Sequence, residues 1–260
     1  MGKLIKTEVT DSIFIVTLNR PSKKNAMSRQ MHIELLNAVI EFEQDQNLLA
    51  MILTNESDCF CAGSDLKEIN DGTYEPEGRN LDGFGIVTGR YLSKPVIIAV
   101  NGKCIGGGAE MLLAADLAVV SNDCVISLPE IKQGLLAAGG GGLLRLGKSI
   151  PIKLAMELAL TGDPIDAKTA LSWGLVNRVV DNKVVLKEAI SLAKKIICNA
   201  PIAVRRTKYL FYNSLNKSWL RENDGWIEML EADEFIKETD DAKEGAKAFT
   251  EKRLPCWSNR

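Results

Sequence analysis

Two glutamates in apolar surroundings are the residues of this sequence whose chemistry stands out. Glu110 opens the stretch "EMLLAAD", and Glu130 lies in "VISLPEIKQG", between a strand-like apolar run and a turn. Apolar surroundings disfavour a charged carboxylate and raise its pKa towards neutrality. Two such acids at one pocket can act as general acid and general base. Either acid alone can equally be a helix-terminal residue that complements the helix dipole.

Two glycine-containing turns offer a second kind of chemistry. Gly106–Gly108 lie just before Glu110, and "FCAGSDLKEI" follows the predicted strand "LAMILTN". Glycine turns allow close approach to the backbone, and the start of a helix has free N–H groups. Two such groups can stabilise an oxyanion that forms on a carbonyl. The second turn is also compatible with a simple helix cap by its Ser or Asp.

Several other chemistries are excluded or disfavoured. His32 is the only histidine, so metal sites built on several histidines are excluded, and we expect a satisfied or surface side chain. A dinucleotide fingerprint read from Gly106 fails because Met111 occupies the position of its last glycine. The letters of Gly142–Ser149, "GLLRLGKS", fit a P-loop, but no buried strand precedes them.

The surrounding pattern predicts an α/β fold. "LIKTEV" and "IFIVTLN" indicate an antiparallel pair, and Ser28 is a plausible N-cap for the helix that follows. "LAMILTN", "KPVIIAV" and "DLAVVS" read as strands, with helices predicted at 81–92 and 109–115 between them. The chain after Val180 has mainly helical periodicity. We therefore predict a core over 1–195 and a helical cap or oligomerisation region over 196–260.

Composition narrows the function further. The chain has 260 residues, 46% of them apolar, and a net charge of -2, which disfavours nucleic acid or anionic lipid as the main partner. The six cysteines match no zinc spacing and indicate buried thiols in a reducing compartment. Neither a signal peptide nor an apolar run of membrane-spanning length is evident. We expect a soluble cytoplasmic protein.

Six segments of the sequence carry its most specific signal: "LNRPSKKNAMS", "FCAGSDLKEI", "KPVIIAVNGKCIGGGAEMLLAADLAVVS", "SLPEIKQGLL", "LTGDPIDAKTALSWGLVNRVV" and "AFTEKR". Together, in this order and over nearly the whole chain, they resemble the crotonase superfamily, the enoyl-CoA hydratase/isomerase family. "GFGIVTGRYLSKPVIIAVNG" and "LLRL" are more similar to its carnitinyl-CoA dehydratase-like members.

The resemblance implies a ββα-repeat spiral core with a helical C-terminal region, assembled as trimers or dimers of trimers. It implies an acyl-CoA thioester substrate, with no metal and no cofactor besides the coenzyme A of the substrate. Backbone N–H groups of Ser64 and Gly107 match the family's oxyanion hole. Glu110 and Glu130 match its catalytic pair, which activates water for attack at Cβ and passes the proton at Cα. Positions that match the family's CoA contacts are Lys24, Ala26, Ala62, Asp65, Leu66, Lys67 and Lys252, the last near a neighbouring subunit.

One segment departs from the family pattern. Between Gly134 and Arg145 the chain reads "GLLAAGGGGLLR", one residue longer than is common and without proline, in the loop that helps to hold the catalytic water. Syn hydration of a 2-enoyl-CoA, or the reverse dehydration, is the first hypothesis. The alternatives are an enoyl-CoA isomerase or carnitinyl-CoA dehydratase on the same fold, and a non-catalytic acyl-CoA- or RNA-binding member.

Overall fold

The computed structural model describes residues 3–74, 83–215, 217 and 224–260. The chain divides into two compact units, one of residues 1–92 and 96–193 and the other of residues 93–95 and 194–260. The roles assigned above to regions 1–195 and 196–260 stay predictions.

A six-stranded sheet forms the centre of the first unit. Its strand order is β1-β2-β3-β5-β7-β10, with β1 and β2 antiparallel and the other neighbours parallel. Every residue of β2, β3 and β5 is buried, as the continuous apolar runs predict for strands covered on both faces. The predicted α/β class and the opening antiparallel pair are confirmed. The strands are β1 Ile5–Thr10, β2 Ile13–Leu18, β3 Ala50–Asn55, β5 Val96–Val100, β7 Leu117–Ser121 and β10 Arg178–Val180.

A second, four-stranded sheet was not anticipated from the sequence. Its order is β4-β6-β8-β9, with β4, β6 and β8 parallel and β9 antiparallel to β8. The three parallel strands have three residues each, too few to display a period of two or a long apolar run. They are β4 Cys59–Cys61, β6 Lys103–Ile105 and β8 Val125–Ser127, and β9 is Ile165–Asp166.

The first helix begins where its capping signal indicates. The hydroxyl of Ser28 accepts a hydrogen bond of 3.2 Å from the Met31 N–H, so Ser28 is the predicted N-cap of α1. His32 lies on the buried side of this helix, 1% exposed. The helices are α1 Arg29–Gln44, α2 Leu66–Asn70, α3 Gly107–Ala114, α4 Gly142–Ser149, α5 Ile152–Thr161, α6 Ala167–Trp173, α7 Val185–Ile197, α8 Pro201–Ser214, α9 Asp224–Glu238 and α10 Asp240–Glu251.

Two expectations about local structure are wrong. Residues 83–92 form turns rather than the predicted helix, because Gly83, Gly85 and Ile86 have φ of 65°, 60° and 65°, outside the helical region. Residues 81 and 82 of that predicted helix lie outside the described residues. Cys198 and Cys256 are exposed, whereas the other four thiols are buried as expected.

Helix α4 excludes the P-loop interpretation. The letters that fit a P-loop form helix α4, so its lysine lies in the last helical turn and cannot cradle a phosphate from a loop. In the part of the chain that the structure describes, no helix has the length and apolar content needed to cross a membrane.

Candidate active site

The small sheet brings the predicted site residues to one edge. Cys61 of β4 pairs with Cys104 of β6, and Ile105 of β6 pairs with Ser127 of β8. Because parallel strands run in the same direction, their carboxyl ends meet at the same edge of the sheet. Ser64, Gly107 and Glu130 follow these three strand ends within three residues. Glu110 is the fourth residue of the helix that starts there.

The turn after β4 leaves one backbone donor free. The Met27 N–H donates to the Gly63 carbonyl at 2.8 Å, and the Asp65 N–H donates to the Met27 carbonyl at 2.9 Å. Ser64 lies between these two bonds in a parallel bridge with Met27. Successive peptide groups of an extended segment point to opposite sides, so the Ser64 N–H points away from Met27. This N–H donates to none of the described residues.

The first turn of α3 supplies the second donor. Gly106, with φ 57° and ψ -122°, adopts a conformation that favours glycine, and its N–H donates to the Ser127 carbonyl at 2.9 Å. The Gly107 N–H donates to none of the described residues. A Cβ placed on Gly63 would lie 3.7 Å from the Gly107 nitrogen, so the two turns are close neighbours. The edge therefore has two adjacent N–H groups without an acceptor in the described chain.

Close packing explains why the next two positions are glycines. A Cβ on Gly108 would lie 2.5 Å from the Cys61 carbonyl oxygen, and one on Gly107 would lie 2.4 Å from the Phe84 ring. Both distances are shorter than any real carbon contact. The start of α3 thus lies directly against β4 on one side and against Phe84 on another.

Glu110 is enclosed by the glycine loop, which we define as Gly139–Gly142. Its side chain is 2% exposed, and its Oε1 accepts a hydrogen bond of 2.9 Å from the Gly142 N–H. A Cβ on Gly140 would lie 2.7 Å from the Cβ of Glu110. The run of glycines is what allows this loop to approach the carboxylate so closely.

Glu130 has a different environment. It follows Pro129 at the start of the 3-10 helix Pro129–Gln133, and its Oε1 would lie 3.0 Å from a Cβ on Gly106. Its Oε2 is buried and has no hydrogen-bond partner among the described residues. Burial raises the pKa of the Glu130 carboxyl, and the charge of Glu110 raises it further. Glu130 therefore holds its proton more tightly than an ordinary glutamate.

These environments bear on the alternative that the acids only complement helix dipoles. Both do lie in the first turn of a helix. A dipole-complementing acid is stable at an exposed helix end. Burial of Glu110 under another loop, and a buried Glu130 oxygen without a donor, are not explained by that role. Two carboxylates held in different environments beside free N–H groups, with the pKa of Glu130 raised, instead suit general acid and base catalysis.

The predicted CoA contacts on the two neighbouring turns are also brought together. The Ala62 N–H donates to the Lys24 carbonyl at 3.1 Å, which joins the segment of Lys24 and Ala26 to the turn after β4. Asp65 caps α2 through its Oδ1, which accepts from the Lys67 N–H at 3.0 Å. Lys24, Leu66 and Lys67 are exposed. Their roles in CoA binding stay predictions.

Lys252 is the remaining predicted contact. It is the exposed C-cap residue of α10, with φ 55°, and lies in the second unit. Its contact with a phosphate of the substrate stays a prediction. Within the described part of the chain, no three His, Cys, Asp or Glu side chains converge as ligands for a metal.

Sequence reasoning missed Arg20 and Asn25, which hold these turns together. The Arg20 guanidinium forms an ion pair of 2.7 Å with Asp65 and donates to the Ala26 carbonyl at 2.9 Å. Burial works against the charge of Asp65, but the hydrogen bond and charge of Arg20 hold its pKa below the usual value. Asn25, fully buried, donates to the Cys59 carbonyl at 2.9 Å. The only sequence signal for this role is that Arg20 and Asn25 are two polar residues within one turn.

Comparison with known proteins gives the class. The family model described as enoyl-CoA hydratase/isomerase matches residues 8–260. The chain belongs to the enoyl-CoA hydratase/isomerase family, which confirms the predicted crotonase resemblance.

Individual relatives carry more specific names. The mevalonyl-coenzyme A hydratase of Beauveria bassiana is 36% identical over 264 residues, covering 95% of this chain and 91% of the relative. The carnitinyl-CoA dehydratase of Citrobacter koseri is 36% identical over 252 residues and 95% of each chain. The crystal structure of an enoyl-CoA hydratase from Mycobacterium tuberculosis H37Rv superimposes with a TM-score of 0.93 at 42% identity, over 100% of both chains. This chain is an enzyme of that family with the same fold.

Proposed function

We propose that the chain is an enoyl-CoA hydratase-type lyase, which adds water syn to a 2-enoyl-CoA or removes it from a 3-hydroxyacyl-CoA. The observation that carries this proposal is the pair of glutamates with unlike environments beside two unengaged N–H groups. Family membership and the names of the relatives support it.

The mechanism begins with the thioester carbonyl. Its oxygen accepts hydrogen bonds from the N–H groups of Ser64 and Gly107, which stabilise the negative charge as it becomes an enolate. Removing one such donor from an enzyme commonly costs about 100- to 1,000-fold in kcat. The site thus acts as an oxyanion hole preorganised by β4, β6 and the Met27 bridge.

Proton transfer is divided between the two acids. Glu110, oriented by the Gly142 N–H, takes a proton from water as the oxygen attacks Cβ. Glu130, with its raised pKa, donates its proton to Cα as the enolate collapses. Both acids lie at the same edge of the small sheet. The hydroxyl and the proton therefore add to the same face of the double bond, and the addition is syn. Dehydration runs through the same steps with the roles of acid and base exchanged.

Binding of the substrate uses the exposed turns. We assign the CoA moiety to Lys24, Ala26, Ala62 and Asp65–Lys67, with a phosphate bound by Lys252 of a neighbouring subunit. No metal or separate cofactor enters this mechanism. We place the reaction in fatty acid or related acyl-CoA metabolism in the cytoplasm, which the unpaired cysteines support.

A homotrimer or a dimer of trimers is part of the proposal. An apolar groove of about 250 Å³ on the first unit lies between the 3-10 helix Pro129–Gln133 and helices α4 and α5. Its lining includes Leu135, Leu136, Ile152 and Leu160, which are 54–66% exposed. Contiguous apolar surface of this kind commonly marks a protein interface, which supports assembly. Sedimentation velocity tests it, and a monomer at micromolar concentration contradicts it.

The second candidate function is another CoA reaction at the same site, either isomerisation of a 3-enoyl-CoA or dehydration of carnitinyl-CoA. The names of the carnitinyl-CoA dehydratase relatives favour the latter. Isomerisation that survives Glu110→Gln but not Glu130→Gln indicates an isomerase. A non-catalytic acyl-CoA- or RNA-binding role predicts ligand binding with no turnover of any thioester.

The test follows loss of enoyl-thioester absorbance with crotonyl-CoA and with longer, branched and carnitine-derived enoyl-CoAs. We expect turnover by the wild type and a drop of about 100- to 10,000-fold in kcat for Glu110→Gln and for Glu130→Gln. Glu157→Gln, an exposed glutamate of α5, is the matched control and should leave kcat unchanged. Absence of turnover in the wild type on every thioester contradicts the proposal.

A further inference from the structure

Arg145 joins two segments that each contact a residue of the proposed site. It is the fourth residue of α4 and is half-buried. Its Nη1 donates to the Gly140 carbonyl at 2.6 Å, and its Nη2 donates to the Thr88 carbonyl at 2.5 Å. Gly140 belongs to the glycine loop, and Thr88 lies 57 residues before Arg145 in the chain. A single planar cation thus fixes the spacing of two backbone segments.

The first of these segments holds Glu110. Arg145 binds the glycine loop at Gly140, two residues before Gly142, whose N–H donates to Glu110 Oε1. The backbone at Gly140 and Gly142 is packed against the Glu110 side chain. A Cβ on Gly140 would lie 2.7 Å from the Cβ of Glu110, and a Cβ on Gly142 would lie 3.0 Å from its Cγ. A shift of the loop therefore moves the donor that orients this carboxylate.

The second segment is the covering segment, which we define as residues 84–88. Phe84 at its start places its ring against Gly107, the proposed oxyanion donor, and Gly85 packs against Met111 of the same helix. The Thr88 hydroxyl donates to the Phe84 carbonyl at 2.8 Å, so the segment is closed on itself. Arg145 binds it at the Thr88 carbonyl and thereby acts on the position of the Phe84 ring.

A direct bond also joins the two segments. The Phe84 N–H donates to the Gly139 carbonyl at 3.2 Å. This bond is longer than the two from Arg145, and both of its partners are backbone groups beside glycines. Hydrogen bonds from a charged donor are about twice as strong as neutral ones. The guanidinium is therefore the main tie between the glycine loop and the covering segment.

We infer that Arg145 is a positioning residue. By tying the glycine loop to the covering segment, it keeps the Glu110 carboxylate and the Gly107 N–H in their correct positions relative to each other. It touches neither substrate nor the reacting atoms and acts through Gly142 and Phe84. The catalytic part of this inference rests on the proposed function. Its structural part concerns two backbone segments and is measurable without any substrate.

The test combines kinetics with amide hydrogen exchange on the full chain. Arg145→Gln removes the cation, and Arg145→Lys keeps the charge but reaches only one carbonyl at a time. Lys148→Gln removes a cation from an exposed position of the same helix and is the matched control. Thermal unfolding of each variant shows whether it is folded at the assay temperature.

We expect Arg145→Gln to lower kcat about 30-fold with KM within about twofold, because misplacement of a catalytic group costs rate rather than CoA binding. Arg145→Lys should recover part of kcat. In Arg145→Gln, amides of residues 84–88 and 139–142 should exchange faster together, while Lys148→Gln matches the wild type in both measurements.

Three results overturn the inference. One is unchanged kcat with unchanged exchange in Arg145→Gln. Another is faster exchange throughout the first unit with kcat and KM lost together, which marks a purely structural role. The third is faster exchange in only one of the two segments. If the wild type hydrates no thioester, the proposed function fails, and exchange alone then decides whether Arg145 ties the segments.

Discussion

The two sheets of the first unit differ in strand length and in what their ends carry. Strands β2, β3 and β5 of the six-stranded sheet have five or six residues, all buried. Strands β4, β6 and β8 of the small sheet have three residues each, yet Ser64, Gly107 and Glu130 follow their ends. The large sheet contributes more buried apolar residues than the small sheet, and the small sheet sets the geometry of the site.

The two sheets indicate that stability and chemistry depend on different contacts. Burial of apolar side chains tolerates small changes of volume at a modest cost. Placement of two N–H groups and two carboxylates tolerates much less, because about 1 Å of misplacement can cost 100-fold in rate. Substitutions in the two sheets should therefore separate the free energy of unfolding from kcat.

The largest effect is expected at the contact between α3 and β4. In Gly108→Ala the new methyl group would lie 2.5 Å from the Cys61 carbonyl oxygen, so α3 must move away from the edge. We expect kcat for enoyl-CoA hydration to fall about 100-fold, measured by steady-state kinetics.

Gly147→Ala on α4 is the control for that variant. Its methyl group would meet only Ile152 Cδ1, at 3.7 Å, an ordinary contact. The helical alanine should raise the free energy of unfolding by about 0.5–1 kcal/mol and leave kcat unchanged. Equal kcat for Gly108→Ala and the wild type would show that the position of α3 does not control the reaction.

An intermediate effect is expected from the titration of Glu130. Because its pKa is raised in the folded state, the native protein binds this proton more tightly than the unfolded chain does. That contribution to stability is present below the unfolded pKa and is lost as pH rises through the folded pKa. Melting temperatures over this range should therefore fall more steeply for the wild type than for Glu130→Gln.

The pH dependence of activity should have the same sign as that of stability. Hydration needs protonated Glu130, so kcat/KM for hydration should fall about tenfold per pH unit above the raised pKa. Parallel pH dependence of stability in the wild type and Glu130→Gln would mean that this carboxyl keeps an ordinary pKa in the fold.

The smallest effect is expected in the large sheet. Ile98 of β5 is fully buried, and Ile98→Val removes one methylene group. Urea unfolding should show a loss of about 1 kcal/mol, with kcat unchanged. A loss of kcat without loss of stability would mean that the large sheet also sets the site geometry.

The same contrast explains how much the sequence could predict. Runs such as "IFIVTL" and "VIIAV" are long and apolar enough to identify buried strands without knowledge of their partners. The three-residue strands of the small sheet give no such signal, since their pairing depends on contacts between distant parts of the chain. The glutamates and glycines were recognised by type, whereas the approach of Gly142 to Glu110 required the folded loop.

The error over residues 83–92 has a related cause. Apolar residues spaced as in a helix suggested one there, but Gly83 and Gly85 turn the backbone and place Phe84 on Gly107. Tertiary packing at the site thus overrides the local periodicity. Arg20 and Asn25 were overlooked because their partners, Asp65 and Cys59, are remote in sequence.

Hydration of crotonyl-CoA in D₂O tests most directly the claim that both glutamates act from one edge. Glu110 should deliver the hydroxyl to Cβ and Glu130 one deuteron to Cα, both on the same face of the double bond. NMR of the 3-hydroxyacyl product should show a single deuteron at Cα, syn to the hydroxyl. A deuteron on the opposite face, or an equal mixture of both faces at early turnover, would show that the two glutamates do not act on the same face of the double bond.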